Sequence, residues 1–204
     1  MGFHATLQGR ELVLTHEAGQ QLSFPLDRGG RYRIVAPEVT QLAPLFKALE
    51  AVPGVSVLPA DGGLLGAMTV SANLSLALRY GVDADDATLR DWEYSLQQAF
   101  RLCGLSEDRI RSIGREQPMH LDRIERWLMG YVRYLLRPSE LLVLDRIFAG
   151  LSRRQAEAVI ALESVYHEFH PFRPTLFVDL DAHGLPEIAD CRTTFELEAA
   201  VCPS

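Results

Sequence analysis

The sequence predicts an α/β protein with a mostly parallel sheet, an antiparallel layer of strands in front of it, and an inserted helical segment. The first 36 residues alternate polar and apolar side chains with period two and are broken by glycine-containing turns, which is typical of an antiparallel meander. In the second half, strand and helix patterns alternate, which is the order of a parallel sheet covered by helices. Between these parts, the segment from about 69 to 136 shows only helical spacing.

The N-terminal part of the chain contains five predicted strands and one predicted helix. Turns at Gly9, Gly19 and Gly29 separate strands near 3–8, 11–16, 20–25 and 31–36. Apolar side chains then recur at helical spacing from Val39 to Ala51, which predicts a helix with one buried face. A short apolar run at 55–58 predicts the fifth strand.

Helices and strands alternate in the rest of the chain. Helical patterns run over 70–80, 87–102 and 121–136, and the acidic residues from Asp83 to Asp86 are expected to cap the second of them. The apolar run after Glu140 ends at Asp145 and is typical of a central strand that is covered on both faces. The remaining predictions are a helix over 153–169, a strand over 175–178, a short helix over 185–189 and a strand over 192–197.

The composition excludes several classes of protein. The 204 residues are 48% hydrophobic and carry a formal net charge of −7, which fits one globular domain and not a nucleic-acid-binding protein. Cys103, Cys191 and Cys202 are too widely spaced for a zinc site or a disulfide framework and fit a reducing compartment. The chain has no apolar run as long as a membrane helix and no secretory signal. We therefore expect a cytoplasmic protein.

Four stretches of the chain resemble the ATP-binding subunits of ABC transporters. The sequence YVRYLLRPSELLVLDRIFAGL, at 131–151, resembles the family's passage through the Walker B strand. The sequence VSVLPADGGLLGAMTVSANLSLALRY, at 55–80, is similar to the Q-loop and to the helix that opens the family's helical subdomain. Residues 30–49 match the passage of strand, P-loop and helix without a gap. The sequence TLFVDLDAHGLPEIADC, at 175–191, resembles the switch strand and the helix after it.

This resemblance implies an ABC-ATPase-like fold of the P-loop NTPase type over the whole chain, 1–204, with a helical subdomain at about 66–136. It also implies a transporter permease as partner, pairing with a second ABC ATPase subunit, and a location peripheral to the inner membrane. Within the family, the chain is most similar to the ATPase subunit of bacterial lipid-trafficking transporters of the MCE-associated type. Family members hydrolyse ATP with Mg²⁺, so the positions that handle nucleotide can be compared one by one.

The P-loop positions have lost their phosphate-binding residues. A P-loop uses glycines that turn backbone N–H groups toward phosphates, a lysine that reaches the β- and γ-oxygens, and a Ser or Thr on Mg²⁺. Here the matching sequence is PEVTQLAP at 37–44, so Ala43 stands at the lysine position and Pro44 at the hydroxyl position. Glu38 would repel a triphosphate. Lys47, the single lysine of the chain, lies a full helical turn further on.

Most of the other positions that bind or hydrolyse nucleotide in the family have also lost the family's residues. Ala60 matches the Q-loop glutamine, and LDRIE at 121–125 matches the signature motif without its glycines. Asp145 is the surviving Walker B aspartate, but Arg146 replaces the catalytic glutamate and cannot act as a general base because it stays protonated. The switch histidine falls at Leu180. We expect Asp145 to hydrogen-bond the neighbouring degenerate loop rather than to bind Mg²⁺.

The segment after the Q-loop position keeps family-like residues. In the family, a groove beside this segment receives a helix of the permease. Gly62, Gly63, Leu64 and Leu65 match these positions, and two leucines in a loop would be unfavourable in water without a cover. We therefore predict that they dock a partner. The alternative is that both leucines pack into the protein's own core.

The sequence thus favours a pseudo-ATPase subunit with no catalytic residue, no ATP or Mg²⁺ as cofactor, and no metal site. It would dock to a permease as a homodimer or beside an intact ABC ATPase. Two alternatives stay open, an active ATP-hydrolysing subunit with divergent motifs and a soluble regulatory interaction protein. His167, Glu168 and His170 lack the spacing of a zinc site, and the histidines are interpreted as solvent-exposed residues at a helix end.

Overall fold

The computed structural model shows two compact units. It describes residues 2–17, 19–26, 29–79, 97–98, 100–180 and 191–197. The first unit comprises Met1–Val57, Ser139–Ala149 and Pro171–Ser204, and the second comprises Leu58–Pro138 and Gly150–His170. Most of the helix predicted over 87–102, its acidic cap at 83–86 and the short helix over 185–189 lie outside the described residues. One domain over 1–204 stays a prediction.

The N-terminal meander forms a three-stranded antiparallel sheet in the first unit. Its strands are β1 (Phe3–Gln8), β2 (Glu11–His16) and β3 (Gln21–Pro25), in that order across the sheet. Gly9 has a φ of 65°, which lets the chain reverse tightly between β1 and β2. The predicted boundaries of these three strands are confirmed to within one residue. The prediction that 31–36 is a fourth strand of the antiparallel meander is wrong, because this strand pairs in parallel within the second sheet.

The second sheet of this unit has five strands and contains the mostly parallel layer. They are β4 (Arg31–Ala36), β5 (Val55–Leu58), β6 (Leu141–Asp145), β7 (Thr175–Leu180) and β8 (Cys191–Glu196), in the order β5-β6-β7-β4-β8. The pairs β6–β7, β7–β4 and β4–β8 run parallel. Every residue of β6 is buried, as expected of a central strand with an uninterrupted apolar run. The α/β prediction is confirmed.

The first unit has a core that includes both sheets and one helix. The helix α1 (Leu42–Glu50) follows a 3₁₀ turn at Val39–Gln41, where the sequence predicts α-helix from the start. Leu42, Leu45 and Leu49 of α1 are buried in the same apolar cluster as residues of β2, β4, β6 and β7. Burial of this face holds the end of β4 and the start of α1 in place.

The second unit consists of helices in its described part. They are α2 (Val70–Arg79), α3 (Glu107–Ile113), α4 (Arg123–Leu136) and α5 (Arg153–Phe169), with a 3₁₀ turn at Pro118–His120. The sequence analysis does not predict α3, which Ser106 caps by accepting a hydrogen bond from the backbone N–H of Arg109. Trp127 stacks on Tyr131 with ring centres 5.0 Å apart, and both are buried.

The interpretation of the histidines as solvent-exposed is wrong. His167 Nε2 lies 2.7 Å from Oε1 of Glu163, one helical turn earlier in α5, and Glu163 is fully buried. His170 Nε2 lies 2.8 Å from the backbone oxygen of Leu135 at the end of α4. Both histidines are half-buried, and His170 joins the end of α5 to the end of α4.

Within the described residues, no helix is both long enough and apolar enough to cross a membrane.

Candidate functional site

The connection from β4 to α1 lies at the carboxyl edge of the parallel sheet, where α/β proteins place their ligand sites. β4 ends at Ala36, and the chain enters the 3₁₀ turn only three residues later. The backbone N–H of Gln41 donates to the carbonyl oxygen of Glu38 at 3.2 Å, and that of Leu42 donates to Val39. These N–H groups are engaged inside the turn and do not point at a common ligand.

The same connection lacks the backbone shape of a phosphate cradle. In such cradles, residues with right-handed and left-handed backbone conformations alternate. Among the residues that the structure describes, Arg146 is the only non-glycine with a positive φ, so the connection contains no left-handed residue. Ala43 and Pro44 lie in the first turn of α1, and neither side chain can donate to phosphate or ligate a metal. The hydroxyl of Thr40 donates to Oε2 of Glu38 at 3.0 Å, so a carboxylate holds it.

Asp145, at the end of β6, forms an ion pair with the residue that follows it. Nε of Arg146 lies 2.6 Å from Oδ1 and Nη2 lies 3.0 Å from Oδ2, so the guanidinium covers both carboxylate oxygens. Asp145 is buried. Arg146 adopts a left-handed backbone with a φ of 44°, and its N–H donates to the carbonyl oxygen of Val178 at 2.8 Å. The hydrogen bonds to Asp145 raise the pKa of Arg146.

A second buried ion pair joins β4 and β7. Nε of Arg33 lies 3.2 Å from Oδ2 of Asp179, and the two side chains are 10% and 3% exposed. The Arg33 guanidinium also lies 5.6 Å from the ring centre of Phe148, which stacks on Phe177. The pKa of Asp179 is raised to about 6, chiefly by burial and in part by the charge of Asp145, against the lowering effect of Arg33.

The raised pKa of Asp179 predicts a pH dependence of stability. In the unfolded chain this carboxyl has its ordinary pKa of 3.8, so the folded protein binds a proton more tightly than the unfolded chain. The unfavourable contribution of the ionised carboxyl is therefore fully present above about pH 6 and is relieved as the pH falls toward 4. Relative to Asp179→Asn, the wild type should gain about 1–2 kcal/mol between about pH 7.5 and about pH 5.

Urea unfolding of both proteins at the two pH values measures this gain. The Asn variant is the control because it keeps the shape of the side chain and removes the titration. An equal difference in the free energy of unfolding at both pH values would show that Asp179 does not titrate in this range.

The start of α4, which matches the signature position, is occupied by the protein's own carboxylates. Oδ1 of Asp122 accepts the N–H of Glu125 at 2.8 Å, and Oε2 of Glu125 accepts the N–H of Asp122 at 3.0 Å. Arg109 binds Glu125 through two bonds of 2.6 and 2.7 Å, which lower the pKa of that carboxyl. A helix start attracts anions through its N–H groups. Here two carboxylates already fill that place.

The segment with the predicted docking residues packs closely on α4. Gly62 has a φ of 86°, and a Cβ at this position would overlap the carbonyl oxygen of Arg126. A Cβ at Gly130 would likewise overlap the carbonyl oxygen of Gly62. Two glycines from different elements are therefore required for this backbone contact. Arg133, one turn further along α4, donates to the carbonyl oxygen of Gly63.

Asn73 of α2 holds the other end of the same segment. Its Oδ1 accepts the N–H of Leu65 at 2.8 Å, and its Nδ2 donates to the carbonyl oxygens of Leu65 and Thr69 at 3.1 and 3.0 Å. The Asn73 side chain is buried. We call the segment from Asp61 to Leu65 the docking loop. It is fixed by side chains at both ends.

The docking loop exposes one of its two leucines. Leu65 is 53% exposed, whereas Leu64 is half-buried. The alternative in which both leucines pack into the core is therefore wrong for Leu65. The result is a loop that is held by hydrogen bonds and presents an apolar side chain to water.

The remaining predicted positions belong to different units. Leu180 ends β7 beside Asp179 and pairs in register with Ala36, in the unit that also contains Asp145 and α1. Ala60 lies in the second unit, in a turn closed by a hydrogen bond from the N–H of Gly62 to the carbonyl oxygen of Pro59. Its methyl group cannot replace the amide of a glutamine. Within the described residues, no group of three or more His, Cys, Asp or Glu side chains is placed to hold a metal ion.

Sequence reasoning missed three residues that build these sites. Arg33 stands between the apolar residues Tyr32 and Ile34 of β4, and this position is a signal for a buried ion pair. Gly130 stands inside a helical pattern, where glycine is unfavourable and usually has a packing reason. Asn73 lies within the family-like sequence at 55–80, but its role depends on the geometry of the loop that it binds.

Comparison with solved structures identifies the fold as that of ATP-binding cassettes of ABC transporters. The dimeric structure of MJ0796, a bacterial ABC transporter cassette, is 10% identical over 96% of this chain and 92% of that chain, with a TM-score of 0.57. The ATP-binding cassette MJ0796 in a dimeric post-hydrolysis state bound to ADP and Pi is 12% identical over 88% and 86%, with a TM-score of 0.53. The structure of CbiO1 from Clostridium perfringens, part of the ABC transporter complex CbiONQ, is 13% identical over 90% and 81%, with a TM-score of 0.58.

The sequence itself matches no protein-family model and no curated protein. At these identities the structural likeness establishes the fold alone. The prediction of an ABC-ATPase-like fold with an N-terminal antiparallel layer is confirmed.

Proposed function

We propose that this chain is a non-catalytic, nucleotide-binding-domain-like subunit of an ABC transporter that docks to a permease. The observation that carries the proposal is the connection at 37–44 in an ABC cassette fold. The N–H groups of Gln41 and Leu42 are engaged in a 3₁₀ turn, and the connection has no glycine, lysine or metal-binding hydroxyl at the family's positions. A scaffold for phosphate is therefore missing where the fold would place it.

Mg²⁺ and ATP do not fit the residues that are present. A divalent ion at Asp145 would have to displace a guanidinium that covers both carboxylate oxygens. A triphosphate beside α1 would meet the carboxylate of Glu38, and the single lysine of the chain, Lys47, lies a full helical turn beyond the family's lysine position. No step of ATP hydrolysis is therefore assigned to this chain.

The docking loop supports a permease as partner. Its exposed Leu65 is held rigidly by Asn73, and the contact of Gly62 with α4 sets the position of the loop. Rigid presentation of an apolar anchor lowers the entropy cost of binding. The MJ0796 cassette is dimeric and CbiO1 is part of a transporter complex, which supports a homodimer or a heterodimer with an intact ABC ATPase. A role in lipid trafficking stays a prediction.

Isolation of the wild-type chain from native membranes in mild detergent tests the proposal. A permease is expected to copurify, with or without an intact ABC ATPase. Recovery of the chain without any membrane protein would favour the alternative of a regulatory interaction protein.

Single back-substitutions are not expected to create an ATPase. Ala43→Lys adds a cation to a connection that still has Pro44, Glu38 and no cradle of N–H groups. Arg146→Glu adds a base without a bound substrate. One preorganised electrostatic contact is worth about 10²–10³ in rate, and several are missing here. Phosphate release by each variant should stay at background, with an intact cassette ATPase as the positive control. Turnover by either single variant near that of the control would contradict the proposal.

A further inference from the structure

The pairing of Asp145 with Arg146 is unusual for two consecutive residues. Neighbouring side chains at the end of a strand normally point to opposite faces. Arg146 instead leaves the strand with a φ of 44°, a conformation that costs a non-glycine residue free energy and persists only where its surroundings hold it. The hydrogen bond from its N–H to Val178 and the two bonds to Asp145 provide that support.

The strained backbone of Arg146 places a positive charge beside a buried carboxylate. Asp145 and Asp179 are both buried, on adjacent strands, and the charge of Asp145 acts on Asp179. Two buried negative charges on adjacent strands are unfavourable unless cations lie beside them. Arg33 supplies one positive charge to Asp179, and Arg146 supplies the other to Asp145. The cluster of four side chains is neutral without any bound ion.

We propose that Arg146 is a tethered counter-cation that takes the place of a divalent ion at Asp145, so that removing its guanidinium creates a divalent-cation site at this carboxylate. The inference rests on the proposed function, because it explains how the charge of Asp145, at the carboxyl end of β6, is balanced in a chain that binds no Mg²⁺. The two predictions remain separable. Mg-ATP binding by the wild type would contradict the proposed function, whereas the inference concerns only what replaces Arg146.

The test is a Mn²⁺ titration of Arg146→Asn followed by thermal unfolding. Asparagine tolerates the left-handed backbone, so the substitution removes the charge without adding strain. Carboxylate oxygens suit Mn²⁺, and Asp145, with Asp179 on the adjacent strand, supplies negative charge. Millimolar Mn²⁺ should raise the melting temperature of this variant by about 3 °C or more. The wild type should show no such shift.

Three further variants serve as controls. Arg146→Lys keeps a cation beside Asp145 and should not respond to Mn²⁺. Arg153→Asn removes an arginine from an exposed ion pair with Glu157 and should not respond either. Asp145→Asn combined with Arg146→Asn removes the carboxylate and should abolish the response.

Each possible outcome of the Mn²⁺ titration either supports or overturns the inference. An Arg146→Asn variant that is unstable alone and regains its melting temperature in Mn²⁺ supports it. A folded variant without a Mn²⁺ response overturns it, as does a response that survives the loss of Asp145. A variant that stays unfolded even in Mn²⁺ also overturns it, because a divalent ion must then be unable to replace the guanidinium.

Discussion

Replacement of Leu65 by aspartate is expected to detach the protein from membranes that contain its permease. Leu65 is the exposed leucine of the docking loop, and a charge there would be buried against an apolar partner surface. Truncation of one apolar anchor commonly costs about 2 kcal/mol or more of binding, and a buried charge adds to this. We expect a loss of affinity of about 30-fold or more in co-sedimentation with those membranes.

A matched control uses an exposed leucine in the first unit. Leu7 on β1 is 41% exposed, so Leu7→Asp introduces the same charge without touching the docking loop. Both variants should keep the circular dichroism of the wild type. If Leu65→Asp folds and sediments with membranes as the wild type does, the docking loop is not the contact surface.

Substitution of Gly130 by alanine is expected to destabilise the second unit by about 3 kcal/mol. The added methyl group would overlap the carbonyl oxygen of Gly62, and backbone atoms on both sides leave little room for adjustment. The docking loop must then move away from α4 or the helix must shift. Urea unfolding measures the loss, and membrane co-sedimentation should weaken at the same time.

Gly66→Ala is the control for this prediction. Gly66 lies just after the docking loop, and a Cβ there would meet no atom within 4 Å. Its free energy of unfolding should stay within about 0.5 kcal/mol of the wild type. Equal stability of the Gly130 and Gly66 variants would mean that the glycine contact is not a fixed feature of the fold.

Strand positions and the fold class could be predicted because their signals are local. The period-two alternation of β3 and the apolar run of β6 match the burial of these strands. The turn glycines separate the strands, and this explains the agreement of the predicted and observed boundaries. The helix α3 was missed although Ser106 and the acidic residues after it form a helix start signal.

The candidate sites could be predicted only in part because their contacts are not local. Sequence identified Asp145 and Arg146 as neighbours, but their bidentate pairing depends on a left-handed backbone that no propensity indicates. Arg33 can pair with Asp179 only because β4 and β7 are neighbours in the sheet. The order of the strands cannot be predicted from local sequence patterns. The burial of the histidines depends on contacts with Glu163, one turn earlier in α5, and with the end of α4, which the spacing of the histidines alone does not indicate.

The most direct test of the non-catalytic role is a calorimetric titration of the purified wild-type chain with Mg-ATP. The connection at 37–44 offers no cradle of N–H groups, and Arg146 covers Asp145, so no saturable binding is expected up to about 1 mM nucleotide. An intact ABC cassette titrated under the same conditions provides the positive control. A dissociation constant of about 1–10 μM for this chain, with binding weakened by Asp145→Asn, would contradict the account.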